Sequence, residues 1–447
     1  MTPNLADLSH ALLDAARKAG ADTADALAVS GTAVSIEIRK GALEQAERSE
    51  GVEIGLRVLI GRRQACVSAS DTSAATITAL AERAVAMARE APEDATAGLA
   101  EASQLAQGWD LAGLDLADPA GEPGAAALEA AARAVEAAAL GSAGITQVEA
   151  SAAFSQRVLH MAATNGFSGG YGRTSTSLSA VAFTGSGTEM QRDYAGEGRI
   201  YATDLPPAEE IGRLAAERAL ARVGSVKPKT GTFPVVYDER VAASLVGHLL
   251  SAINGSSIAR GSSWARDLLD TQVLPAGLSL VEDPHRGRIG SSRPFDGEGL
   301  ATRRREIVAD GVLTGWVLDL ATGRKLGMAS TANASRGTSA PPSPSTTNID
   351  LTLGVASRDD LLKQMGTGLL VTSMIGSTIN PTTGDYSRGA SGFWVENGQL
   401  AYPVHECTIA GNLRDMLLRI VPANDARAHL STRVPSILID GMTLAGA

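Results

Sequence analysis

The residues able to do covalent or metal chemistry are few in this chain, and their spacing is unhelpful to most of it. Six histidines occur, His10, His160, His248, His285, His405 and His429. None lies three or four residues from another, so no helix can present a local pair of imidazoles to zinc. Each reads as a surface or internally satisfied polar residue, with a site assembled from distant histidines as the alternative. Cys66 and Cys407 sit in apolar, strand-like contexts and read as buried structural thiols. Cys407 follows His405 and Glu406, but successive strand residues point to opposite faces, which weakens a thiol–imidazole dyad. No GxSxG elbow or GxxxxGK[ST] loop is present, and Gly170-Tyr171-Gly172 and Gly297-Glu298-Gly299 each lack the third glycine of a dinucleotide fingerprint. Arg303-Arg304-Arg305 reads as a solvated strand end, with a carboxylate clamp as the alternative.

The elements that must position these residues follow from periodicity. Leu5 to Lys18 has a helical apolar face and ends at Gly20. Twofold alternation follows at Val34–Ile38 and Val52–Ile60, with Lys40-Gly41 as a turn, and Asp71-Thr72-Ser73 caps a helix over Ala74–Glu90. The expected unit is α-β-β-β-β-α, with helices packed on an antiparallel sheet. Residues 92–124, rich in Ala, Gly, Pro and Asp, read as a surface connection. A second α+β unit is expected from a helix at Ala125–Leu140, strands around Gln147–Met161, Ser175–Thr184 and Glu189–Tyr201, and a helix over Pro206–Val223.

Beyond Lys227-Pro228-Lys229-Thr230-Gly231 the chain becomes Gly- and strand-rich, with a strand at Phe233–Tyr237 and a helix at Glu239–Asn254. Asp310-Gly311, Asn397-Gly398 and Asp440-Gly441 each lie between apolar runs, the strongest local signal for a hairpin. Ser335–Thr347 reads as a Pro/Ser loop able to line or cover a groove. The expected fold is α+β: N-terminal helices on antiparallel sheets over residues 1–226, in units 1–95 and 120–226, then a β-rich, hairpin- or barrel-like domain over 227–447.

A formal net charge of −10 disfavours nucleic-acid and anionic-membrane surfaces. Two distant cysteines without a CxxC pattern fit a reducing compartment. No run of about 18 apolar residues is present, and the N-terminal stretch lacks the pattern of a signal peptide. A cytoplasmic chain is expected.

The stretch Gly376–Gly398, GSTINPTTGDYSRGASGFWVENG, resembles a signature of the TldD/PmbA (TldE) metallopeptidase family. SIEIRKGALEQAERSEGVEIGLRV near the N-terminus and residues 318–337, LDLATGRKLGMASTANASRG, resemble the same family. The likeness runs through nearly the whole chain. It implies an N-terminal α/β region before a β-rich domain, and a role in proteolysis or in maturation of unfolded peptides. Members are also linked to maturation of an antibacterial peptide, to antitoxin degradation and to an older label, modulator of DNA gyrase. The TldD branch carries His-Glu-x-x-x-His on a C-terminal-domain helix, where two imidazoles hold zinc and the glutamate activates its water. The matching stretch here is Val246-Gly247-His248-Leu249-Leu250-Ser251. Val246, Gly247 and Ser251 replace the ligands and the glutamate, and a lone His248 cannot fix a four-coordinate metal.

The resemblance therefore implies a TldE/PmbA-type subunit with no catalytic or metal residue of its own. Zinc is expected in a TldD-type partner with which it forms a heterodimer, and a homodimer is a further expectation. The stretch Gly384, Asp385, Tyr386, Ser387, Arg388 and Gly389 is the candidate peptide- or partner-facing surface, since its glycines permit close backbone approach and a nearby edge can pair with an extended peptide. In the other reading, Tyr386 and Arg388 tie a tight turn. The competing functions are a self-sufficient metallopeptidase with a non-motif metal site, and a homodimeric peptide-binding protein.

Overall fold

The computed structural model describes residues 4–446. The first half is built from α1 (Leu5–Ala19), β1 (Thr23–Arg39), β2 (Ala42–Ile60), β3 (Arg63–Ala69) and α2 (Ala74–Glu90). After a short turn of helix, α3 (Leu111–Leu114), come α4 (Ala125–Leu140), β4 (Ile145–Ala163), β5 (Ser168–Thr184), β6 (Gln191–Arg199) and α5 (Ala208–Leu220). Local chemistry explains the boundaries. Asn4 caps α1 by accepting from the Ala6 N–H, and Gly20 closes it in the left-handed region at φ 97°. Ser73 caps α2. Lys40 and Gly41, at φ 54° and 70°, form the hairpin turn between β1 and β2.

The two units share one antiparallel sheet in the order β3-β2-β1-β4-β5-β6. Each unit reads αβββα, and β1 lies beside β4 from Asp25–Ala163 to Arg39–Glu149. The first unit therefore has three long strands instead of the expected four. β1 runs unbroken for 17 residues because it must reach both helix pairs. Its Ala24, Ala26 and Ala28 pack under α1 and α2, while Val34, Ile36 and Ile38 pack under α4 and α5. All six positions are even, which places both helix pairs on one face. Leu27 on the opposite face joins Met161, Phe167 and Phe295 in a separate core against the second half of the molecule.

That half contains β7 (Gly231–Tyr237), α6 (Glu239–Ala252), α7 (Gly255–Arg260), β8 (Leu280–Glu282), β9 (Arg305–Ala309), β10 (Val312–Leu313) and α8 (Leu320–Leu326). It continues with β11 (Ala334–Ser335), β12 (Ser343–Pro344), β13 (Ile349–Leu351), α9 (Arg358–Met365), β14 (Gly368–Ile379), β15 (Asp385–Glu396) and β16 (Gln399–Asn412). Last come α10 (Leu413–Leu417), β17 (Val421–Pro422), β18 (Thr432–Arg433) and β19 (Ile437–Ala445). Strands β16-β15-β14-β7-β19 form a run that β16–β19 pairing closes into a five-stranded barrel. The barrel-like expectation holds. Closure removes the sheet edges that would otherwise attract other chains. α6 sends Ala242, Leu245, Val246 and Leu249 into the core that holds Tyr237 and Trp394, and α9 covers Val236 and Leu370 from outside.

Three local expectations need correction. Asn397-Gly398 and Asp310-Gly311 do turn hairpins, but Asp440-Gly441 lies within β19, where the register with β7 shifts between Ile439 and Met442. A bulge lets one strand bend around a small barrel, and glycine supplies the φ of 72° it needs. Residues 92–124 are more than a surface connection. Ala100, Leu114 and Leu116 are buried, and Ala106 N donates to Gly299 O at 2.9 Å. Alternation also fails at His405-Glu406, where Glu406 has φ 48° and the β15–β16 register slips, so Val404 and Cys407 both point inward. Cys407 is buried as expected, whereas Cys66 is only half-buried. Among the described residues no helix is long and apolar enough to cross a membrane.

Candidate functional site

α6 enters directly from β7 through Asp238, whose side chain accepts from Arg240 N and caps the helix. It lies against the barrel wall formed by β14 and β15. This brings together two stretches that are far apart in sequence. His248 on α6 meets Tyr386 on β15 edge to face, with ring centroids 5.8 Å apart. Tyr237 Oη donates to Tyr386 Oη at 3.4 Å, and Tyr386 Oη approaches Met374 Sδ at 3.5 Å. Burial pushes both tyrosines above the usual phenol range. Burial, then the charge of Arg388, pushes His248 below the usual imidazole range. A neutral imidazole packed against the Tyr386 phenol is the result. Its buried Nε2 has no hydrogen-bond partner among the described residues.

The other residues of the candidate stretch hold local structure. Gly384, at φ 82°, donates its N–H to Asn380 O and accepts from Leu413 N. Asp385 accepts from Thr383 Oγ1 at 2.6 Å and from Asn412 Nδ2 at 3.1 Å, and these bonds hold its carboxyl below the usual range. Ser387 pairs with Thr378 on one side and Ala410 on the other. Arg388 Nε donates to Gly376 O at 2.8 Å. Gly389 lies so close to β14 that a Cβ would meet Ile375 Cγ2 at 2.6 Å. β15 lies between β14 and β16, so its own ladder is already occupied. An open ladder edge lies elsewhere: along 42–53, β2 pairs with β1 alone, because β3 begins to pair only at Ile54.

Zinc does not fit the residues of α6. Val246 is buried in the core, Ser251 is exposed, and an added Cβ on Gly247 would meet nothing within 4 Å. His248 is the one donor in this stretch, and the cationic Arg388 bears on it. Among the described residues no group of three or more His, Cys, Asp or Glu side chains converges as a metal site.

Folding does bring two distant histidines together. His10 and His160 have ring centroids 5.9 Å apart, with Ser168 Oγ 3.2 Å from His10 Nε2 and Ser9 Oγ 2.7 Å from His160 Nδ1. Two imidazoles flanked by hydroxyls still lack the third ligand of a catalytic zinc. His285 contacts Thr302 Oγ1, and His429 lies 3.0 Å from Glu197. Arg303 and Arg304 are exposed, while Arg305 is tied to Glu282 at 2.9 Å and to Trp316 O. That run is a strand end.

Three family models cover the chain: PmbA/TldA metallopeptidase domain 1 at residues 24–88, the central domain at 118–223 and the C-terminal domain at 230–446. The chain belongs to the PmbA/TldD metallopeptidase family. It is 37% identical over 427 residues to Metalloprotease PmbA of Escherichia coli O157:H7, covering 95% of this chain and 92% of that one. A PmbA homolog from Haemophilus influenzae is 35% identical, covering 97% and 94%. Among solved structures, a protein from Bacteroides thetaiotaomicron described as a modulator of DNA gyrase superposes with a TM-score of 0.92 at 28% identity, over 99% of this chain and 98% of that one. TldE from Thermococcus kodakarensis shares the fold, with a TM-score of 0.86 at 17% identity over 98% and 100%.

Proposed function

We propose that this chain is the metal-free subunit of a cytoplasmic TldD/TldE-type peptidase, pairing with a zinc-bearing TldD-type subunit to act on unfolded peptides. One observation carries the reading. The α6 positions that match the family's zinc motif hold Val246, Gly247 and Ser251: the first is packed in the core, the second faces open space and the third is exposed. Among the described residues, a lone neutral His248 facing Tyr386 has neither a second imidazole nor a carboxylate to complete a site. The chain contributes fold and surface, and the hydrolytic water is activated elsewhere. The open edge of β2 over 42–53 offers ladder groups to an extended peptide or to a partner strand. Its exposed Glu44, Glu47 and Arg48 guard that edge against indiscriminate pairing. A net charge of −10 supports contact with peptides over nucleic acid.

The test is cleavage of unfolded casein by the purified chain, by a TldD-type subunit and by the two together. Cleavage that needs the second subunit supports the assignment. Chelator-sensitive cleavage by this chain alone would overturn it.

A further inference from the structure

A cavity of about 280 Å³ lies between the N-terminal sheet and the barrel domain, and its lining is two-sided. One part is apolar: Leu27 of β1, Leu159 and Met161 of β4, Tyr171 of β5 and Phe295. The other carries four guanidinium groups, those of Arg157, Arg173, Arg293 and Arg336, against a single lining carboxylate, Asp296. Asp296 is itself occupied, accepting the backbone N–H groups of Glu298, Leu300 and Ala334.

Arg336 is paired with Asp25, whereas Arg173 and Arg293 are held by carbonyl oxygens alone. Arg157 and Arg173 are direct cross-strand partners on β4 and β5. Like charges in that position destabilise a sheet unless something anionic lies between them. Arg173 donates to the carbonyls of Gly290 and Ser292, and Arg293 to those of Ala334 and Ser345. Carbonyl dipoles orient a guanidinium without neutralising it. Arg336, its side chain 2% exposed, shares Asp25 with Arg57, and its Nη2 has no partner among the described residues. Arg293 Nε is also buried without a partner.

We propose that this cavity binds the free C-terminal residue of a peptide, with its carboxylate on the Arg157–Arg173 pair and its apolar side chain against Leu159, Met161, Tyr171 and Phe295. Guanidinium groups suit a carboxylate because their forked donors match its two oxygens. The choice of a peptide as the source rests on the proteolytic role proposed above. The volume suits one residue and excludes a folded chain. Ser335–Thr347, which supplies Ser335, Arg336 and Thr346 to the lining, is the segment that encloses the site.

Isothermal titration of the full chain tests this with three probes: N-acetyl-leucine, N-acetyl-leucinamide and an octapeptide ending in leucine with a free carboxylate. Both carboxylates should bind and the amide should bind at least tenfold more weakly. Arg157→Gln, at an exposed side chain, should weaken both carboxylates about tenfold, and Arg303→Gln at the exposed strand end should change nothing. Equal binding of acid and amide, or unchanged affinity in Arg157→Gln, would overturn the site. Binding of N-acetyl-leucine with exclusion of the octapeptide would overturn the peptide terminus as ligand. Because these are binding measurements on the chain alone, their failure leaves the partner-dependent cleavage test standing, and the reverse also holds.

Discussion

At α6 the positions that would carry chemistry in a zinc-bearing relative are a buried valine, an open glycine and an exposed serine, and the surrounding aromatics pack. At the seam between the N-terminal sheet and the barrel domain, buried charge is dense. Asp25 and the guanidinium groups of Arg57 and Arg336 are each at most 5% exposed as side chains, and Glu298 and Asp296 lie close by. The identity of Gly247 and Ser251 matters little to the fold, because the helix buries Leu245 and Leu249. Loss of any partner at the seam leaves a charge in a medium that cannot solvate it. The fold therefore tolerates change at the α6 positions, whereas a buried ionic seam has no such freedom.

The largest test of that contrast is Asp25→Ala, which strands two buried guanidinium groups. It should cost about 3–5 kcal/mol in urea unfolding. A loss under about 1 kcal/mol would show the seam charges to be well solvated and would erase the contrast. Next is Gly55→Ala. An added Cβ would lie 2.2 Å from Thr338 O and 2.5 Å from Thr338 Cα, backbone atoms of the opposite domain that cannot swing aside. Overpacking of this kind costs about 1–3 kcal/mol, read as a fall in the urea midpoint.

Glu298 gives the seam a pH signature. Burial, then the neighbouring Asp296 carboxylate, pushes its carboxyl up to about 8 from an ordinary 4.5. Between those values the folded chain keeps a proton that the unfolded chain has released. Stability should therefore fall as pH rises across this window, by up to ~1.4 kcal/mol per unit. Glu298→Gln should flatten that slope in unfolding curves taken from pH 5 to 8, and an unchanged slope would place its origin elsewhere. The smallest effect belongs to the other region. Gly247→Ala meets open space within a helix and should stabilise the chain by about 0.5–1 kcal/mol. Destabilisation there would mean that Gly247 serves a contact with another molecule.

Much of the fold was legible because its signals are local. The helix stop at Gly20, the cap at Ser73, and the turns at Lys40-Gly41 and Asn397-Gly398 need only neighbouring residues to be recognised. Asp440-Gly441 misled because the same dipeptide serves a bulge as well as a turn, and barrel closure decides which. The pairing of β1 with β4 is a contact across more than a hundred residues, for which alternation carries no address. The seam was hidden for a related reason. Leu27, Met161 and Phe295 look like ordinary strand residues until the second domain covers them. One signal was available: Asp25 and Arg57 each sit within apolar runs, where a charge needs a buried partner. The α6 positions were singled out through the family resemblance alone, and the arginines of the cavity were not, since four separate segments supply them.

The most direct measurement is zinc stoichiometry, by elemental mass spectrometry, on this chain purified without a tag and on its complex with a TldD-type subunit. The metal-free reading predicts no stoichiometric zinc in the isolated chain and one zinc per heterodimer. One tightly bound zinc in the isolated chain would contradict it, and would mean that donors outside α6 assemble a site of their own.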